Sequence, residues 1–556
     1  MIKNSSPLRR GLLLALIAFV FLSPFGLFDG FYYQSQSDTV FPTYLLGFYN
    51  NGTDLFPLAF GCFTLLSKAL NYGYHTLGIV HVYDLFQLFA VVLCSFYWAL
   101  IAYDSIKGSL KAKAAYITLI IILLFGFVST LEFTKTSLIL GVTGLHLWFN
   151  KNSIIPLTIG ILLFLLALFV RAEGGTLALA VYLGYLLASK KWRILEPTIR
   201  YRSFFVFLLV LGIGILLNLE TSPSNTYYLN NRPYENALAD FNMSSSALSR
   251  LSTKDSIKVY TASKFFFADT SKLNPSYFAS IDGIKGIDKK PVSLIKHFLS
   301  FDWFKNYRNS LMKFTETWSL FALVLGVSLL SYLKRAWFFT LIALAQTTVI
   351  IILSLALKAE FHVITSYISL TLILTLIAAV NKKTKESPLQ IPVLLFTLFA
   401  AFAYLGFSLN LTKTYANKHL YYEAVLKDIQ KASDSKTIML NVSVWDEFHY
   451  KLFSPYQPSN HQEIFVLDGG ILHLGEEHER ILIERTQKSN FIDQVEQLFH
   501  RENLIVYSSE ERLKIILNYI NLIYDSNYTF EKINSFPSPH ISSDKLVHTF
   551  KILGAN

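Results

Sequence analysis

Apolar stretches of about 20 residues, the length a helix needs to cross roughly 30 Å of hydrocarbon, recur between Gly11 and Phe407. No other pattern constrains the fold as tightly. A transmembrane barrel would show shorter, alternating segments, so the spans are read as helices. With 556 residues, 53% of them hydrophobic, and a mean hydropathy of +0.41, the chain is too apolar for a soluble enzyme and too long for one domain. The net charge of +11 does not point to nucleic acid, because much of the Lys and Arg lies in short loops between apolar runs, where it sets orientation. Cys62 and Cys94 sit in apolar surroundings and suggest neither a disulfide framework nor a metal site. The basic flank Lys3, Arg9 and Arg10 with the run Gly11 to Phe28 resembles a signal peptide, but no small-residue cleavage site follows; it is read as a retained first helix.

Loop charges give the topology. With the N-terminus cytoplasmic, the first helix delivers Asp29 to Asp54 to the outer side, including the tyrosine-rich stretch Phe31-Tyr32-Tyr33 and Asp38. Leu55 to Leu70 either spans or lies in the interface; treating it as interfacial makes Leu85 to Tyr103 the second span and keeps Lys107, Lys111 and Lys113 inside. Further spans are expected at Ala114–Thr130, up to Phe149, Ile154–Val170, Thr176–Ala188, Phe204–Leu217, up to Lys334, Trp337–Leu357, up to Lys382 and Ile391–Phe407, about eleven in all. The basic loop from Lys190 to Arg202 anchors the inner face. The expected division is a membrane domain over 1–410, with a long outer loop at 218–317, and an extracytoplasmic α/β domain over 411–556. That loop ends in an amphipathic run from Ser293 to Phe314, and a loop so long points to a role such as covering a site. In the last domain, strands are expected at Thr437–Val442, Glu463–Leu467 and Leu504–Tyr507, with edge strands at Tyr528–Ile533 and Val547–Leu553. Ser508-Ser509-Glu510-Glu511 opens a helix reaching Tyr524.

Polar clusters converge on the outer side: Asp38 and Asp54, Glu132 with Lys135, Arg171 with Glu173, and Glu360 with His362. A carboxylate near a bilayer is costly unless wet or paired, which marks Asp38 as a candidate base. Arg171 and Lys135 sit where the orientation rule does not place cations, and such residues suit a phosphate or pyrophosphate. A base beside a phosphate-holding arginine fits transfer from a lipid-linked phosphate donor, the leaving phosphate being neutralised by the cations, alone or with a divalent metal. No zinc spacing, phosphate-binding glycine loop, serine-hydrolase elbow or kinase signature occurs, and no residue is assigned as a metal ligand.

This plan, with Phe169-Val170-Arg171-Ala172-Glu173-Gly174-Gly175-Thr176-Leu177 at a helix end and Glu360-Phe361-His362-Val363-Ile364 in a late outer loop, resembles the GT-C-type integral membrane glycosyltransferases. That family includes protein O-mannosyltransferases and the lipid A aminoarabinose transferase. Many members carry an Asp-Glu pair in the first loop, whereas Asp38 here lies between Ser37 and Thr39. The leading expectation is an inverting glycosyltransferase acting on a polyprenyl-phosphate sugar, embedded among membrane lipids. Asp38 would be the base, and Glu132, Lys135, Arg171, Glu173 and His362 would serve the substrate. A glycan polymerase or ligase, and a transporter or partner-binding membrane protein, remain open. Apart from His146 the expected spans hold almost no ionisable residues, which counts against transport.

Overall fold

A computed structural model describes residues 82–106, 110–150, 153–189, 251–263, 271–281, 318–357, 361–381, 387–432, 437–441, 464–468, 486–539 and 546–554. Short pieces lie between 15 and 76 and between 201 and 213, with single positions at 269, 483, 541 and 543. Asp38, Asp54, Glu360 and the amphipathic run from Ser293 to Phe314 lie outside the described residues, as does most of Leu55 to Leu70.

The bundle consists of α1 (Val82–Ser105), α2 (Leu110–Val128), α3 (Phe133–Asn150), α4 (Ile154–Val170), α5 (Ala172–Ala188), α8 (Trp318–Leu333), α9 (Trp337–Leu357), α10 (Phe361–Val380) and α11 (Gln390–Ala432). Of the described helices, α1, α10 and α11 are long and apolar enough to cross a membrane, and α2, α4, α5, α8 and α9 are shorter apolar helices. The helices expected at Leu85–Tyr103, Ile154–Val170 and Trp337–Leu357 therefore appear at nearly those bounds. α10 has no polar face: beyond His362 in its first turn it carries only apolar residues, Ser, Thr and Tyr367, so burial all round is its low-energy position. It packs against α1, α2, α3, α5, α8 and α9. α3 is the other central helix, and it approaches α4 closely where Gly144 meets Gly160: a Cβ on Gly144 would lie 2.7 Å from the Gly160 carbonyl oxygen.

Three expectations are corrected. First, hydropathy ends near Phe407 but the helix does not. α11 continues for 43 residues, about 64 Å at 1.5 Å per residue, so the boundary expected at 410/411 falls in mid-helix. Beyond Leu411 no Gly or Pro interrupts it, Glu423 pairs with Lys427 at 2.8 Å, and Thr412, Ala416, His419, Tyr422, Val425 and Ile429 form one buried face at helical spacing. Second, the described part of the expected loop 218–317 belongs to the core of the C-terminal domain. Helices α6 (Thr253–Ser263) and α7 (Pro275–Ser280) bury Val259, Ala262 and Phe278 against Val495, Leu498, Leu513 and Ile516. Third, one expected edge strand is interior.

The C-terminal sheet has the order β4-β3-β5-β7-β6, with β3 (Thr437–Asn441), β4 (Ile464–Asp468) and β5 (Leu504–Ser509) parallel. β7 (Val547–Leu553) lies between β5 and the edge strand β6 (Thr529–Ser535), antiparallel to both. Period-two alternation divides β5 between two cores. Leu504 and Val506 face α6, α7, α12 (Phe491–Phe499) and α13 (Glu510–Tyr524), while Ile505 and Tyr507 pack with α11. Within the stretch expected to open α13, Ser509 is the cap, its hydroxyl accepting from the Arg512 N–H at 3.4 Å. Tyr507 donates to Asp428 at 2.9 Å and the Val547 N–H donates to the Tyr421 hydroxyl at 2.7 Å, so the sheet is fastened along α11.

Asp269 fastens the 251–281 segment to the same domain. Its fully buried carboxylate accepts from the Tyr519 hydroxyl at 2.7 Å, from the Tyr524 hydroxyl, from Ser271 at 2.7 Å and from the Lys272 N–H at 3.2 Å. Burial, and then the Asp269 charge, push the Tyr519 phenol well above its usual range, so it remains a donor. Asp269→Ala would leave these donors unpaired inside the protein, and a loss of about 3 kcal/mol is expected. The check is a melting curve in detergent with limited proteolysis of 251–281; an unchanged melting temperature and cleavage pattern would refute this role.

Candidate functional site

Two short helix breaks and one helix start meet at one end of the bundle. The first break, Ser129 to Glu132, joins α2 to α3 and contains β2 (Thr130–Leu131), which pairs in parallel with β1 (Tyr32–Tyr33). Glu132 caps α3. Its carbonyl accepts the first intrahelical bond from the Thr136 N–H at 3.0 Å, and its Oε2 accepts from the Lys135 N–H at 2.9 Å. Of the outer stretch expected from Leu131 to Thr136, the part from Phe133 onward is thus the first turn of α3.

Glu132 has no exposed surface, and the groups around it explain how a charge is tolerated there. The Thr134 hydroxyl donates to Oε1 at 2.7 Å, His362 Nε2 lies 3.3 Å from Oε1, and Arg171 Nη1 lies 3.8 Å from it. Burial pushes the Glu132 carboxyl up. The neighbouring His362 ring, the Arg171 guanidinium and the Thr134 hydroxyl more than offset this and hold it at about 2. A carboxylate so weakly basic is suited to orienting cations and poorly suited to removing a proton near neutral pH.

Arg171 forms the second break, a single extended residue between α4 and α5. Ser137 of α3 holds this break: its hydroxyl lies 2.7 Å from the Ala167 carbonyl oxygen and 2.9 Å from that of Arg171. Gly174 permits the approach, because a Cβ there would sit 2.5 Å from the Ser137 oxygen. The guanidinium carbon is 4.5 Å from the Phe133 ring centroid, and Nη1 donates to Thr134 at 2.8 Å. Nε faces Glu173 Oε2 at 3.5 Å, and Nη2 carries no hydrogen bond among the described residues. The Arg171 side chain is 27% exposed and that of Glu173 is 64% exposed.

The structure therefore brings Glu132, Arg171, Glu173 and His362 together. Lys135 is adjacent but differently engaged. Its buried ammonium donates to the carbonyl oxygens of Gly126 and Thr130, at 3.0 Å each, and to the Thr130 hydroxyl at 2.9 Å, closing the C-terminal end of α2. Asp38, five positions after Tyr33, lies outside the described residues. No protein-family model and no curated protein matches the chain. The reading of this site rests on its own geometry.

Several residues at this end were not singled out in the sequence. Thr134 relays between Glu132 and Arg171, and Thr136 bonds Gln87 of α1, whose amide donates to the Tyr83 hydroxyl at 2.8 Å. Asp84, expected just outside its span, lies buried in the first turn of α1. Thr134 and Thr136 were legible only as a hydroxyl on each side of Lys135. Among the described residues no group of three or more His, Cys, Asp or Glu is placed to hold a metal.

Because Glu132 is held well below its unfolded value, it contributes stability that is present above about pH 4.5 and is lost as the pH falls toward 2. Glu132→Gln is expected to melt lower than the wild type at pH 7, and the gap should narrow as the pH is lowered from 5 to 3. Parallel melting profiles across that range would contradict it.

Proposed function

We propose that the chain is a polytopic membrane glycosyltransferase that moves a sugar from a polyprenyl-phosphate donor to an acceptor hydroxyl on the outer side of the membrane. The observation that carries this reading is Arg171, whose guanidinium is held on one side by Thr134 and Glu132 and is partly exposed, with Nη2 unbonded among the described residues. A planar cation held this way fits two oxygens of a phosphate. In the proposed reaction the acceptor hydroxyl loses its proton to Asp38 and attacks the anomeric carbon. The bond from that carbon to the phosphate oxygen breaks, and the polyprenyl phosphate leaves against Arg171. Glu132 is fully buried with both carboxylate oxygens engaged, which leaves the base to another residue. His362 and Glu132 then hold Arg171 in place, and Lys135 holds the turn that carries Glu132.

The proposed topology has about eleven spans, with the N-terminus cytoplasmic and the C-terminal domain outside. Single cysteines at Ser459 and Ser189, with Cys62 and Cys94 replaced, test it: impermeant labelling from outside is expected at the first and not the second, and the reverse result would overturn the map.

For the chemistry, Asp38→Asn should lower transfer about 100-fold or more, the scale of losing a general base. Arg171→Lys should lower it as well, because an ammonium cannot reproduce a two-pronged grip. Both variants should insert normally. Wild-type transfer by Asp38→Asn, with a lipid-linked sugar donor present, would reject the mechanism and favour a glycan ligase working through Arg171 and His362.

A further inference from the structure

The two sides of the Arg171 guanidinium are in different situations. Nη1 is committed inward, 2.8 Å from Thr134 Oγ1 and 3.8 Å from a fully buried Glu132 oxygen, and the Phe133 ring covers one face. The fork formed by Nε and Nη2 has no hydrogen bond among the described residues. Among the described residues it is faced only by a Glu173 oxygen 3.5 Å from Nε, beyond good hydrogen-bond length, on a side chain that is 64% exposed. Glu173 is in the first turn of α5, two residues after Arg171, and nothing in the described structure fixes its carboxylate more closely than this loose pairing.

From this geometry we infer that Glu173 is an internal competitor: its carboxylate occupies the Nε side of the Arg171 fork at rest and is displaced when a phosphate ester binds there. The inference rests on the reading of Arg171 as a phosphate-binding residue and gives Glu173 a role opposite to that of a substrate-holding group. A carboxylate presents two oxygens to such a fork, as a phosphate does. An incoming phosphate therefore replaces the loose contact with two charge-assisted bonds, while Glu173 swings into water at little cost because it is already mostly exposed. The proposal also gives the site selectivity, since a neutral ligand cannot replace the lost charge pairing and a phosphate can.

The test is equilibrium binding of farnesyl phosphate to the full chain in nanodiscs, with wild type, Glu173→Gln, Arg171→Gln and the double variant. Glu173→Gln should bind about threefold more tightly than wild type, the scale of one exposed ion pair, and the gain should vanish in the Arg171→Gln background. Equal or weaker binding by Glu173→Gln overturns the inference, even where Arg171→Gln still weakens binding and the reading of Arg171 stands. Equal binding by wild type and Arg171→Gln removes the phosphate reading and this inference with it. Inorganic phosphate as competitor distinguishes the source: failure to displace farnesyl phosphate assigns the fork to a lipid-linked phosphate, displacement at similar concentration assigns it to free phosphate, and a gain confined to Glu173→Gln supports the competitor role in both cases. Because Glu173 is exposed, unchanged melting of Glu173→Gln serves as the control for folding.

Discussion

The end of the bundle that carries the candidate site depends on a carboxylate with no access to water. Burying a charge costs several kcal/mol unless partners replace its hydration, and Glu132 obtains those partners from separate parts of the chain. Its own helix supplies the Lys135 N–H and the Thr134 hydroxyl, the break between α4 and α5 supplies Arg171, and the first turn of α10 supplies His362. None of these elements can shift by an ångström without leaving the charge less well paired. The two helix breaks and the start of α10 are thereby held together, and Arg171 is left with one side fixed and the other presented.

The surroundings reinforce that arrangement by satisfying helix ends. Lys135 meets carbonyl oxygens at the end of α2, Ser137 meets those at the break after α4, and Thr412 of α11 donates to the Ser129 carbonyl at 3.2 Å. The last contact brings α11 beside the site. Farther along the same helix, the His419 ring lies 5.8 Å from the Tyr32 ring, and Tyr421 and Asp428 hold the sheet. One continuous helix therefore ties the bundle, the strand preceding Asp38 and the α/β domain into a single mechanical unit. The segment containing α6 and α7 returns to that domain through Asp269, although it precedes α8 in the chain.

Much of this was legible from the sequence because it depends on local pattern. Runs of apolar residues gave the helices from Leu85, Ile154 and Trp337 to within about three residues, and alternation with turn residues gave the strands and the capped helix of the last domain. Glu132, Arg171, Glu173 and His362 were recognisable as charges out of place beside apolar runs, since isolated charges near a membrane are costly wherever they occur. Hydropathy, however, reports where lipid contact ends and not where a helix ends, so it could not reveal that α11 continues to Ala432.

What tertiary structure decided is which of those charges meet, and in what role. Lys135 and Arg171 look alike in sequence as cations beside helix ends, yet one has its donors turned onto α2 and the other keeps Nη2 without a hydrogen bond among the described residues. The difference arises because Thr130 and Gly126 lie close in the chain to Lys135, whereas the partners of Arg171 arrive from α3, 37 residues away at Thr134. The sequence by itself determined that this is a helical, largely apolar chain with a domain of helices and strands at its end and a few costly charges, because those properties follow from composition and short-range periodicity. The pairing of Glu132 with Arg171 and His362, the interior place of β7 and the docking of α6 and α7 on the last domain were decided by packing between distant segments, which no local pattern encodes.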